Sequence, residues 1–182
     1  MTRLPTPASI ETSPAAAQPL LQAVNKQLGR VPNMFRLVAT SPAALEGYLG
    51  LNGALAKGTL EAPTRERIAL AVAEVNGCDY CLSAHSYFGK NFAKLSDAEI
   101  AANRNGTSGD AKADAAVGFA VKLAKARGHV ADADIQAVKD AGYTDAQLIE
   151  IVLHVALNTL TNYVNEVGKT EIDFPTIAAK AA

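Results

Sequence analysis

Cysteine occurs twice in this chain, as Cys78 and Cys81, and His85 follows four residues after the second. On a helix these positions are related as i, i+3 and i+7, which places them on one stripe. Two thiols at this spacing can close into a disulfide locally, so a redox cycle needs no third cysteine. Only the thiolate attacks a peroxide or a disulfide at a useful rate. Cys78 stands at or beside the expected helix start, where unpaired N–H groups and the helix dipole favour a thiolate. Cys81 lies one turn from His85, whose imidazole can take the thiol proton or, once protonated, hold the thiolate. Spacing therefore leaves either sulfur as the nucleophile. The product, a sulfenic acid or mixed disulfide, would be resolved by the other cysteine.

Two carboxylates upstream can complete a proton relay: Glu66, twelve residues before Cys78, and Glu74, four before it. Each has a plainer role open to it. Glu66 sits between Arg65 and Arg67 in a first helical turn, where a glutamate complements the dipole, and Glu74 can face solvent or an arginine. A carboxylate on an otherwise apolar helix is a candidate for a shifted pKa. His154 lies within the apolar run Ile151 to Leu157. A histidine so placed reads first as a hydrogen-bonded core or interface residue, and second as a pocket residue with Asn158 one turn away. Asn162, Tyr163 and Asn165 can line a pocket or form subunit contacts, and His129 falls in a loop with no assigned role. A zinc or iron site from Cys78, Cys81, His85 and a glutamate is the weaker reading, because structural zinc sites draw ligands from separated segments. Haem attachment requires histidine directly after the second cysteine, where this chain has Leu82.

The elements that hold these residues read as helices throughout. The 182 residues are 49% hydrophobic, with 5% aromatics and no tryptophan, a composition that suits closely packed helices. Pro19 opens a helix that Gly29 ends, and Ser41-Pro42 begins another that runs to about Lys57. Pro63 opens the next, through Val75, and Asn76-Gly77 breaks it before a helix from Cys78 to about Phe92. Ser96-Asp97-Ala98-Glu99 and Thr144-Asp145-Ala146-Gln147 read as capping boxes. Further helices are expected at 110–127, 132–141 and 145–166. No strand-like alternation interrupts them, and the expected fold is all-α. Residues 1–17 read as a loose arm and 18–182 as one domain, with the CxxC core at about 41–127. Gly47, Gly50 and Gly53 would let a neighbouring backbone come close. The apolar helix 64–76 should be central or at a subunit interface, and with the long apolar helix near the end of the chain it suggests an oligomer.

A formal net charge of −1 lacks the basic field of a non-specific nucleic-acid binder. Met1 to Pro19 contains no apolar signal-like run, and no stretch has the length and apolarity of a membrane span. A cytoplasmic protein without nucleic-acid or membrane partners is the expectation, and in that compartment a lone CxxC is read as reactive.

Glu66, eleven intervening residues, and then Cys78-x-x-Cys81-x-x-x-His85 resembles the signature of the alkyl hydroperoxidase D-like branch of the carboxymuconolactone decarboxylase family. The run from Arg65 through His85, the helix begun by Ser41-Pro42, and the segments Asn158 to Tyr163 and Glu171 to Pro175 are similar to its peroxidase-related subset. The resemblance implies a compact all-helical fold assembled as a homotrimer or homohexamer, without metal or organic cofactor. It implies reduction of alkyl hydroperoxides, with re-reduction by a dithiol donor such as a lipoylated or thioredoxin-like protein. By that likeness Cys81 is the peroxidatic sulfur, Cys78 the proton donor and resolving thiol, and Glu66 and His85 the relay. Tyr80 departs from the pattern, since the best-described peroxidases have a second histidine between the cysteines; a tyrosine donates a hydrogen bond but is a poor base, which implies a shorter relay. Two other readings accompany this one: a cofactor-free decarboxylase-like enzyme, and a redox sensor whose CxxC oxidation changes oligomer packing.

Overall fold

The computed structural model describes residues 2–180, and among them there are helices and no strand. A 3-10 turn, Ala15–Ala17, leads into α1 (Gln18–Leu28), which Gly29 ends at φ +72°. Then come α2 (Asn33–Val38), α3 (Pro42–Leu55), α4 (Ala62–Val75), α5 (Asp79–Asn91), α6 (Asp97–Arg104), α7 (Ala111–Lys125), α8 (Asp132–Asp140) and α9 (Asp145–Gly168). The proline and capping signals read from the sequence start α3, α4 and α9 within a residue of their positions. The short α2 carries no such signal of its own; Pro32 precedes it without a side-chain cap.

Helix α4 is the centre. Ile68, Ala69, Leu70, Ala71, Val72 and Ala73 are all buried, so the helix is covered nearly all round. It packs on α5, α6, α7 and α9, and its alanines let those neighbours approach. One face, with Leu70 and Ala73, joins a core shared by Leu21, Leu45 and Leu82. The opposite face, with Ile68 and Val72, joins a second core formed with Phe119, Leu123, Val138 and Ile151. Each fully buried aliphatic chain here contributes about 1.5–3 kcal/mol. The sharp turn into α5 uses Gly77 at φ +66°, a left-handed conformation that glycine adopts without a Cβ penalty.

Three expectations from sequence change. The segment read as a loose arm lies on the core at Ile10 and Ala17, and Ser13 is buried. The glycines of α3 meet nothing: a Cβ added at Gly47, Gly50 or Gly53 would have no neighbour within 4 Å, so they face outward. Of the two capping boxes, Thr144 and Gln147 exchange their bonds at 3.2 and 3.1 Å. In the other, Ser96 accepts from the Glu99 N–H, but the Glu99 carboxylate turns away to Arg67, Asn103 and Gly109. Burial would raise the Glu99 pKa, and these donors with Ser108 outweigh it and hold it at about 2.

The long helix α9 is apolar on the outside. From Ile149 on, its exposed positions are Ile149, Leu153, Ala156, Leu160, Tyr163 and Val167, at alternating spacings of four and three and without a charge among them. No helix of the described residues is long and apolar enough to cross a membrane.

After α9 the chain folds back as an extended strap over α5. Asp173 is its anchor: its carboxylate pairs with Arg30, accepts the Asn33 N–H at 3.1 Å and accepts the Tyr80 hydroxyl at 2.9 Å. Phe174 follows, edge-on to Tyr80 and Phe88 at 5.8 and 5.5 Å. Further on, the Ile177 and Ala179 N–H groups bond Ser83 Oγ at 2.9 Å and Asp79 Oδ1 at 2.7 Å. Replacing Asp173 by alanine leaves the buried Tyr80 O–H without its acceptor, so Asp173→Ala should lose about 2–3 kcal/mol in urea unfolding and expose the strap to limited proteolysis. A loss below about 0.5 kcal/mol, the scale of ordinary surface substitutions, would mean that the strap is held by Phe174 alone.

Candidate active site

Helices α2, α3, α4, α5 and α9 converge on a cavity of about 300 Å³. The sequence places the lining residues by helical periodicity. From α5 come Cys81, Ala84, His85 and Phe88, from α4 Ala62, Arg65, Glu66 and Ala69, and from α9 His154, Leu157, Asn158, Thr161 and Asn165. Tyr48 and Asn52 of α3, with Met34 and Phe35 of α2, close the other side, and Phe174 of the strap completes the wall.

Cys78 is the N-cap of α5. Its sulfur accepts the Cys81 N–H at 3.3 Å and lies 2.7 Å from the Cys81 sulfur, and both cysteines are free thiols. The two are not equivalent. Cys78 is fully buried beneath the helix start and does not line the cavity, whereas Cys81 does. The hydrogen bond to Cys81, burial and the neighbouring sulfur's charge push the Cys78 thiol up. Burial acts in the same direction on Cys81, but the Cys78 thiol donates to it, His85 lends positive charge, and the Asn165 amide points at it. These outweigh burial and bring the Cys81 thiol down to about 7. The Asn165 amide donates to the sulfur at 3.3 Å.

His85 Nδ1 and Glu66 Oε2 lie 2.9 Å apart across the α4–α5 contact. Burial would lower the imidazole pKa; the Glu66 charge and hydrogen bond, with Cys81 beyond, raise it instead. The arrangement runs Glu66, His85, Cys81, Cys78, each group acting on the next.

Of the two candidate carboxylates, the structure brings only Glu66 here. Glu74 is bound at 2.6 Å by Arg104 Nε and at 2.6 Å by the Lys180 N–H of the strap. Its place in the relay is therefore corrected to a structural one. Tyr80 has its ring on the cavity wall and its hydroxyl turned to Asp173 and to the Met34 N–H at 3.1 Å; burial keeps it a phenol. His154 is buried on the cavity wall, and its Nε2 has no partner. Tyr163 points outward on the exposed stripe, while Asn162 is wholly buried and accepts from the Asn76 amide at 2.8 Å. Asn165 and Arg65 are the lining residues whose part sequence reasoning left unassigned. The signal for them was their helical phase: Asn165 falls eleven residues, three turns, after His154, and Arg65 four before Ala69. Among the described residues no three histidine, cysteine or carboxylate groups converge as metal ligands.

Residues 42–126 match the carboxymuconolactone decarboxylase family. The chain is similar to the alkylhydroperoxidase AhpD core structure of an uncharacterized peroxidase-related protein from Ralstonia eutropha JMP134, at 27% identity and a TM-score of 0.83, over 94% of this chain and 92% of that one. It shares its fold with the debrominase Bmp8, solved with a cysteine-to-alanine change in complex with 2,3,4-tribromopyrrole, at 19% identity and a TM-score of 0.80, over 95% and 94% of the two chains. An uncharacterized protein of Haemophilus influenzae is 50% identical over 46 residues, which is 25% of this chain and spans only 41% of that relative's length.

The two sulfurs should separate by pH. Alkylation of the reduced protein by iodoacetamide should quicken as pH rises through a midpoint near 7 and then level off, with one thiol modified. In His85→Gln the midpoint should climb by about a unit, since the positive charge that favours the thiolate is gone. A wild-type midpoint at about 8.5, the free-thiol value, would overturn the assignment of these causes.

Proposed function

We propose that this chain, which belongs to the alkyl hydroperoxidase D-like branch of the carboxymuconolactone decarboxylase family, reduces organic hydroperoxides through a Cys78–Cys81 dithiol cycle. One observation carries the reading: the thiol that opens on the cavity is the one brought down to about 7, and a second thiol lies 2.7 Å behind it.

The Cys81 thiolate attacks the outer peroxide oxygen. The S–O bond forms as the O–O bond breaks, sulfur gives up two electrons, and the departing alkoxide leaves as an alcohol after taking a proton. His85, charged and held by Glu66, is placed to supply that proton. Cys78 then attacks the sulfenic sulfur; the S–S bond forms, and hydroxide leaves with the Cys78 proton as water. Its position beneath the helix start keeps this second thiol protonated until it is needed. A dithiol of the lipoyl or thioredoxin-like class returns two electrons and two protons. Tyr80 takes no proton in this scheme, because its hydroxyl is committed to the strap.

A second reading rests on the aromatic wall of Phe35, Tyr48, Phe88 and Phe174. A cavity of this size and lining would take a compact ring, and the same dithiol could remove halogen from a small aromatic, giving the hydrogen-substituted ring, halide and the disulfide. Thiol titration separates the alternatives. One equivalent of cumene hydroperoxide should consume two thiols in the wild type and none rapidly in Cys81→Ser, and Cys78→Ser should stop at a sulfenic acid trapped by dimedone. Glu66→Gln and His85→Gln should slow the reaction about 100-fold. Thiols that survive hydroperoxide but are consumed by a bromopyrrole would replace the first reading by the second. Substrate turnover that persists without either cysteine would favour the decarboxylase-like reading.

The reading includes assembly with further copies of this chain. Exposed apolar stripes of this extent mark interaction surfaces. The four-three spacing along α9 lets two such helices interleave over their length, and the uncharged seam offers nothing to select a different partner. The family resemblance supports a trimer or hexamer as the product. Light scattering should give a multiple of the 18.9 kDa chain mass for the wild type and a single chain for Leu160→Glu. A monomeric wild type would remove this part of the reading.

A further inference from the structure

The cavity has a polar end that the peroxide chemistry leaves unused. Arg65 faces it from α4, yet it forms no ion pair among the described residues. Its one hydrogen bond runs from Nη1 to the Leu55 carbonyl at 3.5 Å, at the outer limit for such a bond. Glu66, its neighbour in sequence, has its carboxylate turned to His85. On α9, His154 is 5% exposed with Nε2 unpartnered. Burial and the nearby Arg65 charge depress its pKa to about 4, so the ring is neutral and can donate one N–H. Buried polar atoms are nearly always bonded, so an unpartnered nitrogen and an unpaired guanidinium on one cavity wall together describe a place for an anion.

The position of this end follows from the helices. The Leu60 N–H bonds Glu150 at 2.8 Å, and the Asn76 amide bonds Asn162 at 2.8 Å, so α4 and α9 run side by side in the same direction. Arg65 and His154 then lie near one level. Asn165, which touches the Cys81 sulfur, is eleven residues further along α9, about 16 Å of helix. Between the two levels the wall carries Ala69, Leu157 and Thr161.

We infer that Arg65 and His154 hold a carboxylate at the far end of the cavity, and that the substrate is an organic hydroperoxide carrying a carboxylate across a medium-length apolar chain from its peroxide group. The guanidinium offers parallel donors that match a carboxylate's two oxygens. The hydrocarbon lies along the apolar wall and delivers the peroxide to Cys81. The peroxide half of this assignment rests on the function proposed above; the anion anchor does not.

The test uses unreactive probes first. Isothermal titration of the reduced protein should show octanoate binding at least tenfold more tightly than octanol. Arg65→Gln should abolish that preference while leaving octanol unchanged, Arg65→Lys should keep part of it, and His154→Gln should weaken octanoate severalfold. Octanoate no tighter than octanol, or a preference indifferent to Arg65, would overturn the anchor. A kinetic pair then separates the two claims: 8-hydroperoxyoctanoic acid should oxidise the thiols about tenfold faster than its methyl ester, with the ratio falling to one in Arg65→Gln. Equal rates for acid and ester in the wild type would overturn the anchor and leave the peroxide chemistry standing. Octanoate bound through Arg65, with both hydroperoxides leaving the thiols intact, would do the reverse and support the anchor alone.

Discussion

A sulfur buried in an apolar-walled cavity prefers to keep its proton, and much of this molecule answers that preference. Burial favours the neutral thiol at Cys81, so donors and positive charge must be brought to it and kept there. Cys78 comes from the same helix start, His85 from one turn on, and Asn165 from a helix eighty-four residues away. His85 in turn needs a counter-charge to stay protonated in a half-buried place, and Glu66 supplies it from α4. The central position of α4 is thus more than a matter of core volume. It fixes the distance between a carboxylate on one helix and an imidazole on another, and a shift of one turn would break the series.

The helix boundaries were legible because proline, serine, threonine and glycine act locally. The stripe Cys78, Cys81, His85 was legible for the same reason: it lies within two turns of one helix. What the sequence left open depends on contacts between distant segments. Glu66 and Glu74 are the same residue type on the same helix, and only the packing of α6 and the strap gives Glu74 to Arg104. Spacing could not choose between the two sulfurs, because the choice depends on which one the cavity reaches. The glycines of α3 suggested close approach, yet small side chains also occur where nothing approaches. Tyr80 raised a question about the relay that its hydroxyl answers by bonding Asp173, ninety-three residues on.

Helix α9 shows how far a pattern can depart from the usual rule. Its buried face carries His154, Asn158, Thr161, Asn162 and Asn165, and its exposed face carries aliphatic and aromatic side chains. This is the inverse of an ordinary surface helix. Most of the inner polar groups line the cavity: the Asn165 amide bonds the sulfur, and the histidine lies at the other end. The outer apolar groups gain nothing within one chain. One helix thus turns a polar face to the cavity and an apolar face outward, and that is why its composition reads from sequence as an undifferentiated apolar run.

The separation in sequence between Cys81 and Asn165 has a further consequence, one of timing. A ribosome that has released α4 and α5 has already exposed both thiols, together with Glu66 and His85, which lie close in sequence. The amides of α9 and the strap that closes over α5 are still to be made. Until they dock, the sulfur lacks the donors that offset its burial and sits in a more open setting, so its pKa lies nearer that of any free cysteine. The setting that lowers the thiol is therefore completed late in synthesis, with the last fifth of the chain. A nascent polypeptide correspondingly carries less thiolate at Cys81 than the folded chain does.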